Sequence, residues 1–167
     1  MNTIAFTGHR PHKLWGYDIH QKKYRDLFRS LYSTVMAEWQ QRGDLLLVSG
    51  MALGVDQIAA MLGIWMRDQR KLSVQVEAAI PCIGHDSKWP KQSREQYQDI
   101  LKKCDIRIVI HNGTYNYRCM QQRNEYMVDK ADILIAVWDG SAGGTGNCVR
   151  YAKHNGVKII QINPKDI

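Results

Sequence analysis

The chain has 167 residues, of which 44% are apolar and 23% charged. This length and composition predict one globular domain over 1–167, because a chain of this length can bury about 70% of the surface that it exposes when unfolded. Lys and Arg number 23 against 16 Asp and Glu, a net charge of +7, which favours nucleotides, nucleic acids or phosphorylated metabolites as partners, unless the charge only aids solubility. The longest strongly apolar stretch, 133–138, has six residues, which excludes a membrane-spanning helix because such a helix needs about 18 or more.

The first third of the chain predicts a strand, a long helix and a second strand. Residues 2–6 are apolar and end at a Thr-Gly turn, which indicates a buried strand. Apolar residues at three- and four-residue spacing then predict a helix with one apolar stripe, formed by Tyr24, Leu27, Phe28, Leu31, Val35 and Trp39. Asp18 and Gln21 have the spacing of a capping box at its start, and Gly43 supplies a left-handed cap at its end. Residues 45–48 are apolar on both faces, as in a covered parallel strand.

The rest of the chain alternates between helices and strands. The pattern predicts helices over 55–70, 90–104, 117–130 and 144–155, and strands over 73–80, 106–110, 133–138 and 157–162, the first of these strands ending at Pro81. This alternation predicts an α/β fold, a Rossmann-like doubly wound, mostly parallel sheet of about six strands with helices on both faces. Ligands of such sheets bind outside the carboxyl ends of the strands, so the turns there are the candidate site.

Two glycine turns in the first part of the chain are candidates for that site. Thr7-Gly8-His9-Arg10 follows the first strand, where a glycine lets the backbone approach a ligand and Arg10 can bind a phosphate with two hydrogen bonds, although such a sequence also suits a plain turn. Residues 49–56 place Gly50 and Gly54 in a strand-to-helix turn, which exposes N–H groups at a positive helix end. This segment matches neither a Walker A loop nor the Gly-x-Gly-x-x-Gly dinucleotide pattern. Asp56 has two interpretations, a ribose contact or a favourable charge at the helix start.

A third glycine turn follows the fifth predicted strand. Residues 139–146 contain four glycines with Ser and Thr hydroxyls, which favours a phosphate cradle over the alternative of a flexible surface loop. Arg123 and Asn124 lie on the preceding helix, where Arg123 either clamps a phosphate or ribose from the side or is an ordinary exposed arginine.

The cysteine pattern and the N-terminal residues predict a cytoplasmic protein. The four cysteines include no Cys-x-x-Cys pair and no histidine at ligand spacing, which argues against a disulfide framework and a metal site. The first residues carry no basic segment and too short an apolar stretch for a signal peptide. We therefore expect no metal, no cofactor and no membrane partner.

Taken together, these segments resemble the SLOG superfamily, the Rossmann-like group that joins the DNA-processing protein A domain with the LOG phosphoribohydrolases, and within it the YpsA-like branch. The resemblance rests on the order and spacing of 7–11 with 13–14, 49–56, 79–81, 123–124, 131–138 and 143–145. It implies a pocket for a nucleotide or nucleotide-derived ligand, of the ADP-ribose or NAD kind or a nucleoside monophosphate, bound by a sensor or binding protein. The residues expected to form it are Thr7, Gly8, His9, Arg10, Gly50, Met51, Ala52, Gly54, Asp56, Pro81, Arg123, Asn124, Asp139, Gly143, Gly144 and Thr145. Relatives often form homo-oligomers, so the resemblance also implies self-association.

Two alternatives to a binding protein remain open. The LOG hydrolases resemble this chain at Arg123 and at Gly144-Thr145, but their Pro-Gly-Gly-x-Gly-Thr-x-x-Glu pattern ends in a catalytic carboxylate that is missing here, since Gly146, Asn147 and Cys148 follow Thr145. N-glycosidic hydrolysis of nucleoside monophosphates would therefore depend on other residues, with Asp56, Arg123 and Asp139 as candidates. Single-stranded nucleic-acid binding is the second alternative, suggested by the charge and the DNA-processing branch. The aromatic residues placed by pattern, Tyr24, Phe28 and Trp39, lie on a buried helix face and offer it no stacking platform.

Overall fold

The chain builds one six-stranded sheet with five helices packed on it, in a computed structural model that describes residues 1–167. The strands are β1 (Asn2–Gly8), β2 (Leu45–Ser49), β3 (Val74–Cys82), β4 (Ile106–His111), β5 (Ile133–Val137) and β6 (Lys158–Ile162). The helices are α1 (Lys22–Arg42), α2 (Val55–Asp68), α3 (Lys91–Lys103), α4 (Cys119–Lys130) and α5 (Gly144–His154), with 3-10 turns at Pro11–Lys13 and Pro164–Asp166. The predicted Rossmann-like α/β fold is confirmed. None of the five helices combines the length and the hydropathy of a membrane-spanning segment.

The order of the strands creates a crevice beside β1. The sheet runs β4-β3-β2-β1-β5-β6, and every neighbouring pair is parallel. Strands β2, β3 and β4 extend the sheet on one side of β1, and β5 and β6 extend it on the other. Helix α1, which follows β1, and helix α5, which follows β5, therefore cover opposite faces of the sheet. Ligands bind at such a switch point.

Helices cover both faces because the strands are apolar on both. Helices α1, α2 and α3 pack on one face through residues such as Leu27, Leu62 and Ile100. Helices α4 and α5 pack on the other through Met127 and Val149. The burial of β2 and β5 along their whole length explains why their sequences show no alternation.

The sequence predicted the C-terminal cap of α1 correctly but not its N-terminal cap. The capping-box expectation is wrong: the N-cap Gln21 makes no side-chain capping bond, and Asp18 instead accepts the N–H of His20 over 2.9 Å in the preceding turn. The C-terminal cap is as predicted, since Gly43 has a left-handed φ of 78° and donates its N–H to the Trp39 carbonyl.

The expected end of β3 at Pro81 is also wrong, because the strand continues to Cys82. Proline lacks the N–H that a central strand donates, but the pairing with β2 ends at Ser49 and Ala78. On its other side β3 stays paired with β4 up to Cys82 and His111. Pro81 therefore lies where one side of β3 has no ladder to interrupt.

Candidate ligand-binding cleft

A cleft of about 400 Å³ opens at the carboxyl ends of β1 and β5. Its lining residues come from the segments after β1 and β5 and from α2 and α4: Thr7, Gly8, His9, Arg10, His12, Lys13, Ala52, Asp56, Met120, Arg123, Asn124, Ala142, Gly143, Gly144, Thr145 and Gly146. This volume lies within the range of about 300–1,000 Å³ that is usual for small-molecule sites. The cleft thus coincides with the switch point of the sheet.

The end of β1 is brought to the cleft by close packing at Gly8. A Cβ on Gly8 would lie 2.5 Å from Cβ of Val55 at the start of α2, so no larger residue fits there without a shift. The next residue, His9, donates its N–H to the Val137 carbonyl over 3.3 Å, which keeps the chain beside β5. Arg10 follows, half-buried on the cleft wall, and its side chain makes no hydrogen bond or ion pair within the chain.

The start of α5 forms the wall opposite β1. Gly143 has a φ of 139°, a conformation that favours glycine, and α5 begins directly after it. Within α5, the first backbone N–H that has a partner is that of Asn147, which donates to the Gly143 carbonyl over 2.9 Å. The N–H groups of Gly144, Thr145 and Gly146 have no partner in the chain and lie at the positive end of the helix dipole. They form a set of anion donors.

Lys13 joins the two walls of the cleft. Its Nζ donates to the Ala142 carbonyl over 3.1 Å, and it lies 3.3 Å from the position that a Cβ on Gly143 would take. A cation is thereby held beside the free N–H groups of α5.

The glycines of the β2–α2 turn serve packing and do not line the cleft. A Cβ on Gly50 would collide with the Arg123 guanidinium and lie 2.7 Å from an Asp56 carboxylate oxygen. Gly54 has a φ of 96°, and a Cβ there would lie 2.8 Å from the His9 carbonyl oxygen. Met51 is fully buried in the core formed with α3. From this turn the cleft receives Ala52 and Asp56 only.

Asp56 and Arg123 form a buried pair on the cleft floor. Each is only 5% exposed, and Arg123 Nη1 lies 3.6 Å from Asp56 Oδ2. Arg123 also donates to the Gly50 carbonyl and, from Nε, to Asn124 Oδ1 over 2.9 Å. Burial raises the pKa of Asp56, opposed by the charges of Arg123 and Arg10, and burial lowers the pKa of Arg123. Arg123 is therefore largely occupied by the protein, unlike Arg10.

Asp139, just after β5, holds the side chain of His9 and does not line the cleft. Its Oδ1 is 2.7 Å from His9 Nε2 and accepts the Ser141 N–H over 3.1 Å. Hydrogen bonds from Ser141, which have the largest effect, and from His9 hold the pKa of Asp139 well below its usual range. Lys165 lies 3.6 Å from Oδ2. Asp139 is thus engaged with protein groups and is absent from the lining.

The predicted site residues divide into those the fold brings together and those it does not. Lining the cleft are Thr7, Gly8, His9, Arg10, Ala52, Asp56, Arg123, Asn124, Gly143, Gly144 and Thr145. Gly50, Met51, Gly54, Pro81 and Asp139 support the walls or lie elsewhere. The site prediction omitted five lining residues: His12, Lys13, Met120, Ala142 and Gly146. Of these, Ala142 and Gly146 belong to the predicted glycine turn 139–146, and Lys13 lies beside the predicted turn after β1.

Comparison with known proteins gives a family match over nearly the whole chain. Residues 4–167 match the model of the YspA SLOG family. The chain is 32% identical over 130 residues to the SPbeta prophage-derived protein YoqJ of Bacillus subtilis strain 168, covering 70% of this chain and 75% of that protein. It is 22% identical over 173 residues to the UPF0398 protein YpsA of the same organism, covering 100% of this chain and 95% of that one.

Two solved structures share the fold. DNA processing protein A from Streptococcus pneumoniae superposes with a TM-score of 0.67 at 17% identity, covering 98% of this chain and 50% of that one. DNA processing protein A from Helicobacter pylori, a structure described for its single-stranded DNA binding mode, gives 0.59 at 19% identity, covering 97% and 65%. This chain therefore spans half to two thirds of those proteins.

Proposed function

The chain belongs to the YspA SLOG family, and from the cleft at its switch point we propose that it binds a nucleotide or nucleotide-derived ligand through the ligand's phosphates. The observation that carries this proposal is the set of three unpartnered N–H groups at Gly144, Thr145 and Gly146, with Lys13 beside them. A helix N-terminus with an adjacent cation is a recurrent phosphate site.

The spread of positive charge favours a ligand with two linked phosphates. Lys13 lies at the α5 wall, against the Ala142 carbonyl. Arg10 is near enough to Asp56 and Arg123, on the cleft floor, for its charge to shift their pKa values. Two separated cations suit a diphosphate better than a single phosphate, which favours the ADP-ribose or NAD class over a nucleoside monophosphate.

Asp56 supports a sugar contact in the same ligand. It is the one carboxylate that lines the cleft. A carboxylate accepts hydrogen bonds from ribose hydroxyls, as acidic residues do in dinucleotide sites. No Phe, Tyr or Trp lines the cleft, so we infer that binding depends on the phosphates and sugar more than on stacking of the base.

The test is a thermal-shift panel with AMP, ADP-ribose and NAD at two salt concentrations. A ligand at a hundred times its dissociation constant stabilises the folded state by about 2.7 kcal/mol. For a chain of this length that raises the melting midpoint by roughly 5 to 11 °C. We expect the larger shift with ADP-ribose or NAD, and the absence of any shift across the panel would contradict the proposal.

A groove between α4 and α5 favours single-stranded nucleic acid as a second candidate ligand. Tyr117 is 78% exposed, and the Arg118 guanidinium lies 5.3 Å from the centre of its ring. Arg150 and His154 line the same groove, which has a volume of about 590 Å³. An exposed aromatic ring beside basic side chains is how non-specific single-strand binders hold bases and backbone. The fold neighbour from Helicobacter pylori is described as binding single-stranded DNA, which agrees with this candidate.

Self-association and a cytoplasmic location remain predictions from the sequence. Light scattering of the purified chain tests the first, and fractionation of cells producing it tests the second.

A further inference from the structure

The side chain of His9 is held in one tautomer by its carboxylate partner. Asp139 Oδ1 lies 2.7 Å from His9 Nε2, and the hydrogen bonds from Ser141 and His9 keep the pKa of Asp139 low, so it is a carboxylate at neutral pH. A carboxylate only accepts hydrogen bonds, so Nε2 must carry the proton. In the neutral form of the imidazole, the lone pair is then at Nδ1.

That lone pair is unused by the protein. His9 is 3% exposed and is one of the residues that line the cleft, and its Nδ1 makes no hydrogen bond within the chain. Ser141 Oγ approaches the ring only at Nε2, at 3.5 Å. Asp139 and Ser141 thus lie on the same side of the ring, and Nδ1 is the nitrogen left for a ligand or a water.

We propose that His9 is a general base that activates water for hydrolysis of the phosphoanhydride bond of a dinucleotide-like ligand in the cleft. This inference rests on the proposed function, which supplies the bound diphosphate. The water oxygen forms a bond to phosphorus while its proton passes to His9 Nδ1. The bond from phosphorus to the bridging oxygen breaks, and its electron pair leaves with the second phosphate. One water and one anhydride give two monophosphates, and the proton on His9 returns to solvent.

The charges of the cleft suit this bond. The departing phosphate is stable as an anion, so one base suffices and no separate acid has to protonate the leaving group. The negative charge that develops on the oxygens faces Lys13, Arg10 and the N–H groups of α5. Preorganised donors of this kind stabilise phosphoryl-transfer transition states.

The experiment uses the full chain with ADP-ribose in ¹⁸O-labelled water, with AMP separated by chromatography and its mass measured. We expect AMP and ribose 5-phosphate, with one ¹⁸O in one of the two. His9→Gln should lower the rate about a hundredfold or more, the usual contribution of general-base catalysis. His20→Gln changes an exposed histidine outside the cleft; it is the matched control and should retain the wild-type rate.

Binding of ADP-ribose is measured on the same samples by calorimetry, which separates the two proposals. Binding without AMP, or AMP formed equally fast by His9→Gln, overturns the catalytic role and leaves the proposed function intact. No binding by the wild-type chain overturns both.

Asp139 has a positioning role in this proposal. Asp139→Asn should lower the turnover rate and leave the affinity for ADP-ribose little changed. The ¹⁵N shifts of the His9 ring should report a protonated Nε2 in the wild type and a mixture of tautomers in the variant. An unchanged tautomer with an unchanged rate would overturn the positioning role.

Discussion

Arg123 and Asp56 face each other across the cleft floor at 3.6 Å, with both side chains almost fully buried. The pair joins α4 to α2, and Arg123 adds a hydrogen bond to the carbonyl of Gly50 in the turn before α2. Because one charge compensates the other, the removal of either leaves an unpaired charge that is almost completely buried and poorly solvated. The same two residues line the cleft, so the stability of the fold and the shape of the site depend on one contact.

Replacement of Arg123 by Met should therefore destabilise the protein. Loss of one member of a buried ion pair costs about 3–5 kcal/mol, and the carbonyl of Gly50 loses its donor as well. Urea denaturation measures the change. Arg118→Met, at an exposed position of the preceding turn, is the control and should stay within about 0.5 kcal/mol of the wild type. A stable Arg123→Met variant that has lost ligand binding would show instead that Arg123 acts mainly on the ligand.

The fold was predictable because local patterns record it. Apolar runs bounded by turn residues gave the strands, and residues such as Leu27 and Leu31 repeated at helical spacing. What the sequence does not record is which strands become neighbours. Asp139 meets His9 across 130 residues only because β5 lies beside β1, and that placement depends on tertiary packing.

The glycine turns were informative about location but not about role. Gly50 and Gly144 occupy similar strand-to-helix turns, yet a Cβ on Gly50 collides with Arg123 while a Cβ on Gly144 meets nothing within 4 Å. Close packing and ligand access require the same residue type, so the sequence alone cannot separate them. Lys13 was omitted for a related reason: its partner, the Ala142 carbonyl, lies on another segment of the chain.

Gly144→Val should block the phosphate site without disturbing the fold. The new side chain meets no protein atom near its Cβ, so it extends into open space at the start of α5, beside the unpartnered N–H groups. We expect the affinity for ADP-ribose to fall at least tenfold, about 1.4 kcal/mol, in a calorimetric titration. Asn147→Val places the same side chain on an exposed position of α5 outside the cleft and should bind normally. Equal affinities for the two variants would rule out the α5 N-terminus as the phosphate site.

Asp139→Asn should weaken the protein in a pH-dependent way. The pKa of Asp139 is lower in the folded state than in the unfolded chain, so its carboxylate stabilises the fold above the unfolded value of about 3.9. That stabilisation is lost as the pH falls below this value toward the folded pKa. The variant should therefore be less stable than the wild type at pH 7, and the difference between them should be smaller at pH 3. Asp166→Asn, at an exposed position, should show no such convergence in urea denaturation at the two pH values.

The groove between α4 and α5 gives the prediction that tests the nucleic-acid candidate. Tyr117→Ala removes the exposed ring on which a base would stack, a loss of about 1–3 kcal/mol per base. The affinity for a short oligothymidylate should fall about five- to 150-fold in a fluorescence anisotropy titration, while ADP-ribose binding should be unchanged. Tyr17→Ala removes another exposed ring, 61% accessible and outside the groove, and is the control.

The salt dependence of the same titration separates stacking from charge. Arg118→Met should reduce the magnitude of the slope of log affinity against log salt by the amount that one phosphate contact contributes, about 1. The variant lacks one cation that would face a phosphate. Tyr117→Ala should weaken binding at every salt concentration and leave that slope unchanged, because a stacked ring displaces no counterions. If both tyrosine variants bind the oligonucleotide as the wild type does, the groove is not the nucleic-acid site. Competition by ADP-ribose would then assign any remaining DNA binding to the cleft at the β1–β5 switch point.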